Sequence, residues 1–154
     1  MLKLDAPAPD FNLQDQDGAP LSLHQFRGKA VVLFFYPKAH TLGCTIEACT
    51  FRDEHNFFVQ SGAVVLGVSG DPPEKLKRFA AIHHLPFPLL SDPGNRVRQR
   101  YQVARTFGLM PGRATFLIDR EGVLRHRFVS QFNPKAHPRE ALRALEALLR
   151  KGAP

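Results

Sequence analysis

Residues 30–36 read Ala30-Val31-Val32-Leu33-Phe34-Phe35-Tyr36, seven apolar, strand-favouring side chains in a row. A strand exposed on one face would alternate apolar with polar. An unbroken run satisfies its side chains only when both faces are covered, as in the centre of an α/β sheet. Ala63-Val64-Val65-Leu66-Gly67-Val68 repeats the pattern and predicts a second buried strand. Two such strands need helices on both sides of one sheet, and the rest of the chain supplies them.

Between the two runs, apolar residues including Ile46, Cys49 and Phe57 recur at about one-turn intervals from Leu42 to Gly62, which predicts a helix. Pro72, Pro73 and Glu74 open another, carrying Leu76, Phe79, Ala80 and Ile82. Upstream, Phe11-Asn12-Leu13 and Leu21-Ser22-Leu23 alternate around the turn signal Asp17-Gly18, a small β-hairpin. Downstream, Asp92-Pro93-Gly94 marks a turn and a short basic helix covers Asn95 to Tyr101. Ala114–Ile118 and Val123–Phe128 form an antiparallel hairpin through Asp119-Arg120-Glu121-Gly122. A last helix begins near Pro138, sets Leu142, Leu145 and Leu149 on one face, and stops at Gly152. A βαβ unit followed by antiparallel ββα is the thioredoxin-like plan, an α/β fold with a mixed central sheet between helices and, here, an N-terminal hairpin. At 154 residues, without repeat or linker, the chain is expected to form one domain over residues 1–154.

Composition narrows the function. The net charge is +7, yet the basic residues are scattered: Arg96, Arg98 and Arg100 alternate, as do Arg125 and Arg127, and no basic run reaches five. That reads as a solvated basic surface rather than a nucleic-acid face. No apolar stretch is long enough to span a membrane. The start, Met1-Leu2-Lys3-Leu4-Asp5-Ala6-Pro7, lacks the apolar core of a signal peptide, so the expected compartment is the cytoplasm. Thiols stay reduced there, and a disulfide between the two cysteines is expected to be catalytic rather than structural.

Cys44 follows the first buried strand and opens a helix, the place where open α/β sheets put their chemistry. Unpaired N–H groups and the positive end of the helix dipole there favour a thiolate. Thr41 sits where its hydroxyl can cap the helix or donate to a bound oxygen, and Gly43 lets a substrate approach the backbone. Cys49 is five residues further on. On an α-helix that separation puts the Cα atoms about 8–9 Å apart and the side chains on different faces. A disulfide tolerates about 7 Å, so bonding would require the first turns to unwind. From the residues alone, both cysteines could also be small buried apolar groups. A zinc site of His40, Cys44 and Cys49 has unusual spacing and lacks a fourth ligand.

The stretch Phe35-Tyr36-Pro37-Lys38, Thr41-x-x-Cys44, Glu47-Ala48-Cys49 and Phe51-Arg52-Asp53 resembles the active-site block of a peroxiredoxin, most closely the bacterioferritin-comigratory (Q-type) branch. Echoes at Ala8-Pro9-Asp10-Phe11, Gly67-Val68-Ser69, Phe87–Asp92 and Arg113–Asp119 extend the likeness over nearly the whole chain. The resemblance implies a thiol-dependent peroxidase for hydrogen peroxide and organic hydroperoxides. Cys44 would be the peroxidatic cysteine and Cys49 the resolving one, joined in an intramolecular disulfide that thioredoxin reduces. Thr41 and the Cys44 N–H would hold the peroxide oxygens. Pro37 would shield the thiolate, and Arg113 would stabilise it and polarise the O–O bond. It further implies a monomer that needs no metal, haem or flavin. Leu42 stands where the branch usually has proline, and Ala39 and His40 replace more typical acidic residues.

On the residues alone, Arg113 reads as a surface arginine, His40 as an exposed loop residue and His83-His84 as a surface pair. Glu47 lies within reach of Cys44 on the helix, but it reads as a partner of Arg52 or of solvent and falls outside the catalytic set. Two other functions share the fold. A disulfide oxidoreductase normally carries Cys-x-x-Cys at the helix start, whereas four residues intervene here. A non-catalytic binding or chaperone-like protein predicts a Cys44 no more reactive than free cysteine.

Overall fold

The computed structural model describes residues 2–105, 112–130 and 132–152. Seven strands form one sheet: β1 (Asn12–Asp15), β2 (Pro20–Ser22), β3 (Ala30–Phe35), β4 (Ala63–Ser69), β5 (Leu89–Ser91), β6 (Ala114–Ile118) and β7 (Leu124–Val129). Their order is β2-β1-β5-β4-β3-β6-β7. The unbroken apolar run forms β3, which is central. It pairs in parallel with β4 and antiparallel with β6, and all six of its residues are buried.

The pleat of β3 sorts its side chains between two cores. Val32, Phe34 and Tyr36 face one, with Cys44, Ala48, Phe51, Phe58, Phe79 and Leu145. Val31, Leu33 and Phe35 face the other, with Phe11, Leu21, Val97, Tyr101 and Phe116. The first core is roofed by α1 (Leu42–Asp53), α2 (His55–Gln60), α3 (Pro73–His83) and α5 (Ala136–Gly152). The second is covered by the N-terminal hairpin and α4 (Arg96–Arg100). The hairpin extends the sheet, because β1 also pairs with β5.

Three expectations need correction. The helix over 42–62 breaks at Glu54, whose backbone (φ −94°, ψ 2°) separates α1 from α2. On either side of the break Phe51 and Phe58 are both buried in the same core, with their rings 5.9 Å apart. The last helix begins two residues earlier than expected, at Ala136. Pro138 is tolerated inside its first turn because a proline lacks only an N–H that has no intrahelical partner there. Ile82, placed with the apolar set of α3, is 62% exposed.

Candidate active site

β3 ends beside the first turn of α1, and the loop between them is held from below. The Ala39 N–H donates to Asp71 Oδ2 at 2.7 Å, and Ser69 at the end of β4 donates to the same oxygen at 2.8 Å. His40 turns the chain through a left-handed backbone (φ 64°) and is exposed, as its loop position suggested. Its Nε2 faces the Lys75 carbonyl at 3.4 Å and its ring packs on Phe79. Among the described residues no group of three histidine, cysteine or acidic side chains is placed to hold a metal. Pro37 is half-buried at the start of this loop.

Thr41 occupies the N-cap position of α1, with extended backbone, and its carbonyl accepts from the Thr45 N–H at 2.9 Å. Its hydroxyl does not cap the helix. It donates back to the Lys38 carbonyl at 2.7 Å. The first amides of α1 therefore have no side-chain cap and stay open to an anion at the helix start.

Cys44 lies in that first turn and is 1% exposed. Arg113 Nη2 lies 3.5 Å from its Sγ. Far from being a surface residue, Arg113 is buried, and its Nη1 donates to Glu47 Oε1 at 2.5 Å. Glu47 is wholly buried and does not pair with Arg52, whose guanidinium instead reaches Asp53 and the His83 carbonyl. Three residues after Cys44, Glu47 shares its helix face, and that face turns toward the core rather than toward solvent. A Cβ on Gly43 would stand 3.1 Å from Arg113 Nη2. The glycine thus makes room for the guanidinium itself to cross the helix start.

A second arginine frames the pocket. Arg98, expected on a solvated face of α4, is buried. Its Nη2 donates to the Tyr36 carbonyl at 2.6 Å, and its Nη1 donates to the Gly112 carbonyl. The guanidinium also stacks over Phe35. It thereby joins the end of β3 to the residue just before Arg113, so the positions of Cys44 and Arg113 share one clamp. Asp92 orients α4 by accepting the Val97 and Arg98 N–H groups.

Burial dominates the electrostatics. It pushes the Glu47 carboxyl up to about 8, outweighing the opposing pull of Arg113. It pulls Arg98 down to about 10. For Arg113 burial acts in the same downward sense, but Glu47 and Cys44 more than offset it and leave the guanidinium firmly charged. Cys49 is half-buried on the same unbroken α1, and both cysteines are free thiols. Leu42 is 79% exposed at the first helical position. Sequence reasoning missed Glu47 and Arg98. Helical spacing does set Glu47 within reach of Cys44, but nothing local tells a buried partner from a solvated one, and nothing local marks Arg98.

The AhpC/TSA family profile matches residues 4–127. Peroxiredoxin Q, chloroplastic, from Sedum lineare is 48% identical over 141 residues, covering 91% of this chain and 76% of that protein. The protein of the same name from Populus jackii is also 48% identical, and this chain spans 66% of its length. Peroxidoxin BcpB from Mycobacterium tuberculosis superposes with a TM-score of 0.87 at 38% identity, covering 96% of this chain and 99% of that one. The bacterioferritin comigratory protein of Xanthomonas campestris, whose structure was determined in connection with alkyl peroxide reduction, superposes at 0.83 with 30% identity, covering 94% and 97%. With the strand–helix junction, the uncapped helix start and the Cys44–Arg113 contact, these matches place the chain in the AhpC/TSA family, among the peroxiredoxins of the Q type.

Proposed function

We propose that this protein is a thiol peroxidase that reduces hydrogen peroxide and organic hydroperoxides through Cys44. The observation that carries the reading is the Arg113 guanidinium 3.5 Å from Cys44 Sγ, at a helix start whose amides no side chain caps. The thiolate attacks one peroxide oxygen, the O–O bond breaks, and Cys44 becomes a sulfenic acid while the departing alkoxide or hydroxide takes up a proton. Arg113 and the helix amides stabilise the negative charge as it moves to the leaving oxygen. Thr41 spends its hydroxyl proton on Lys38, which leaves its lone pairs to accept the peroxide O–H. Pro37, half-buried beside the loop, limits water at the sulfur.

Cys49 then attacks the sulfenic acid, forms the Cys44–Cys49 disulfide and releases water. Both thiols belong to one α-helix, so the start of α1 must unwind first. A dithiol protein of the thioredoxin type restores both thiols by exchange. The protein acts as a single-domain monomer in the cytoplasm and needs no metal, haem or flavin. Among the described residues no helix is long and apolar enough to cross a membrane.

The test is peroxide consumption with a thioredoxin recycling system. The Cys44→Ser variant should lose it, and equal consumption by variant and parent would end the proposal. Mass spectrometry after one equivalent of peroxide should find Cys44 bonded to Cys49; sulfenic acid persisting beside an unmodified Cys49 would remove the resolving role.

A further inference from the structure

Gly67-Val68-Ser69 belongs to the family likeness, yet the chemistry above gives it no task. β4 ends on Ser69, and two residues on, Asp71 lies 7% exposed beside the active-site loop. Three hydrogen bonds fix it there. Its Oδ2 accepts from Ser69 Oγ at 2.8 Å, its N–H donates to Ser69 Oγ at 3.3 Å, and its carbonyl accepts from Ser91 Oγ at 2.6 Å. Lys75 Nζ stands 3.4 Å from Oδ1. Ser69 and Ser91 are the paired ends of β4 and β5, so the carboxylate is mounted on the sheet itself.

The same Oδ2 accepts the Ala39 N–H at 2.7 Å. That N–H belongs to the peptide unit whose carbonyl is that of Lys38, and this carbonyl accepts the Thr41 hydroxyl proton at 2.7 Å. One planar peptide therefore joins Asp71 to Thr41, its N–H directed at the first and its C=O at the second. A carboxylate on the N–H side polarises the peptide and makes its carbonyl a stronger acceptor. A threonine hydroxyl rotates to suit its neighbours. This one is exposed, caps no amide of α1, and among the described residues bonds only Lys38. The Lys38 carbonyl thus decides where its proton points. With the proton held there, the lone pairs remain to accept a peroxide O–H. With it released, the hydroxyl would donate instead and compete for the reacting atoms.

We infer that Asp71 is a positioning residue for peroxide reduction, which holds the Thr41 hydroxyl as an acceptor toward the peroxide through the Lys38–Ala39 peptide. The inference rests on the peroxidase reading above. Asp71 touches no reacting atom. Without its carboxylate the buried Ala39 N–H loses its acceptor, the peptide is free to rotate, and Thr41 loses the bond that orients it.

A double-mutant cycle in the full chain, read by the rate of Cys44 oxidation with hydrogen peroxide, tests this. Asp71→Ala should slow oxidation about tenfold, the weight of one hydrogen bond to a charged group. Asp71→Asn keeps an acceptor for Ala39 without the charge and should be about threefold slower than the parent. In a Thr41→Val background neither change should cost more than about 1.5-fold, because the group through which Asp71 acts is gone. In an Arg113→Lys background, slowed for a different reason, both losses should persist. If Asp71→Ala does not fold, Asp71→Asn carries the same comparison. Losses undiminished by Thr41→Val, or no loss in the parent background, would overturn the inference. Alkylation of Cys44 by iodoacetamide in a Cys49→Ser background supplies a control, since that reagent brings no peroxide O–H to Thr41. Its rate should stay within about twofold in the folded Asp71 variants, because alkylation follows the thiolate. Faster alkylation would mean that the substitution merely loosened the loop, and would also overturn the inference. Peroxidase activity surviving in Cys44→Ser would instead strike the underlying function and leave the alkylation rates interpretable.

Discussion

Leu42→Pro offers a quantitative test of how α1 divides its roles. Position 42 is the first helical residue, where proline is favoured and its missing N–H has no intrahelical partner. Among the described residues the Leu42 N–H makes no backbone hydrogen bond that would be lost. The side chain is 79% exposed, so replacing it removes little packing. Thr41 already has the extended conformation that a residue before proline requires (φ −94°, ψ 156°). Under these conditions proline stabilises by about 0.4–1 kcal/mol, chiefly by restricting the unwound chain. Disulfide formation requires the first turns of α1 to unwind, so the unwound fraction should fall about two- to fivefold at the conversion of 1.4 kcal/mol per factor of ten. Stopped-flow mixing with peroxide separates the steps. Oxidation of Cys44 should keep its rate, because the folded pocket is unchanged, whereas the following disulfide step should slow by that factor. The longer-lived sulfenic acid should also be overoxidised more readily at high peroxide. A disulfide step that keeps its rate while the melting temperature rises would refute the idea that unwinding at residue 42 gates resolution, and a lower melting temperature would refute the N1 argument itself.

Gly43→Ala should leave overall stability within about 1 kcal/mol, since alanine is the better helix former. It should slow Cys44 oxidation about tenfold by pushing the guanidinium off the helix start, as competition kinetics with a reference thiol would show. Arg98→Met should cost about 2–5 kcal/mol, because the buried Tyr36 and Gly112 carbonyls lose their donor; urea unfolding measures this. Arg113→Lys should lower the rate of Cys44 oxidation by about a hundredfold, because an ammonium cannot reach sulfur and Glu47 together in the planar fork geometry of arginine. Stability should also follow pH through Glu47. Its folded-state value lies above that of an unfolded glutamate, so its contribution is full below about pH 4.5 and is lost as pH rises toward about 8. Scanning calorimetry from pH 5 to 8 should therefore show Glu47→Gln gaining in melting temperature relative to the parent as pH rises, and a constant difference would contradict a raised Glu47.

Local patterning carried much of this protein. An unbroken apolar run dictates a strand covered on both faces, wherever the rest of the chain goes, and β3 is central for that reason. The turns at Asp17-Gly18 and before Gly122 depend on backbone conformations that a few adjacent residues set (φ 78° and 83° at the glycines). The placement of Cys44 at a strand–helix junction was legible on the same basis, and the family motif around it is contiguous. Glu54 shows where local reading ends. The helical period continues through it, yet the helix breaks there, with Phe51 and Phe58 buried on either side.

The charged interior was decided by tertiary structure alone. Arg98 lies between exposed Arg96 and Arg100 in a segment that reads as basic surface, and its burial depends on Tyr36 and Gly112. Glu47 meets Arg113 across 66 positions of sequence, and its other oxygen faces His137 from a helix still further along. Whether such a group is a solvated charge or a buried one depends on what folding brings against it, because the cost of burial and the partner that offsets it both come from distant segments. The chain therefore announces its reactive thiol locally. The charged groups behind that thiol, Arg113 and Glu47, come from segments that only the closed sheet brings together.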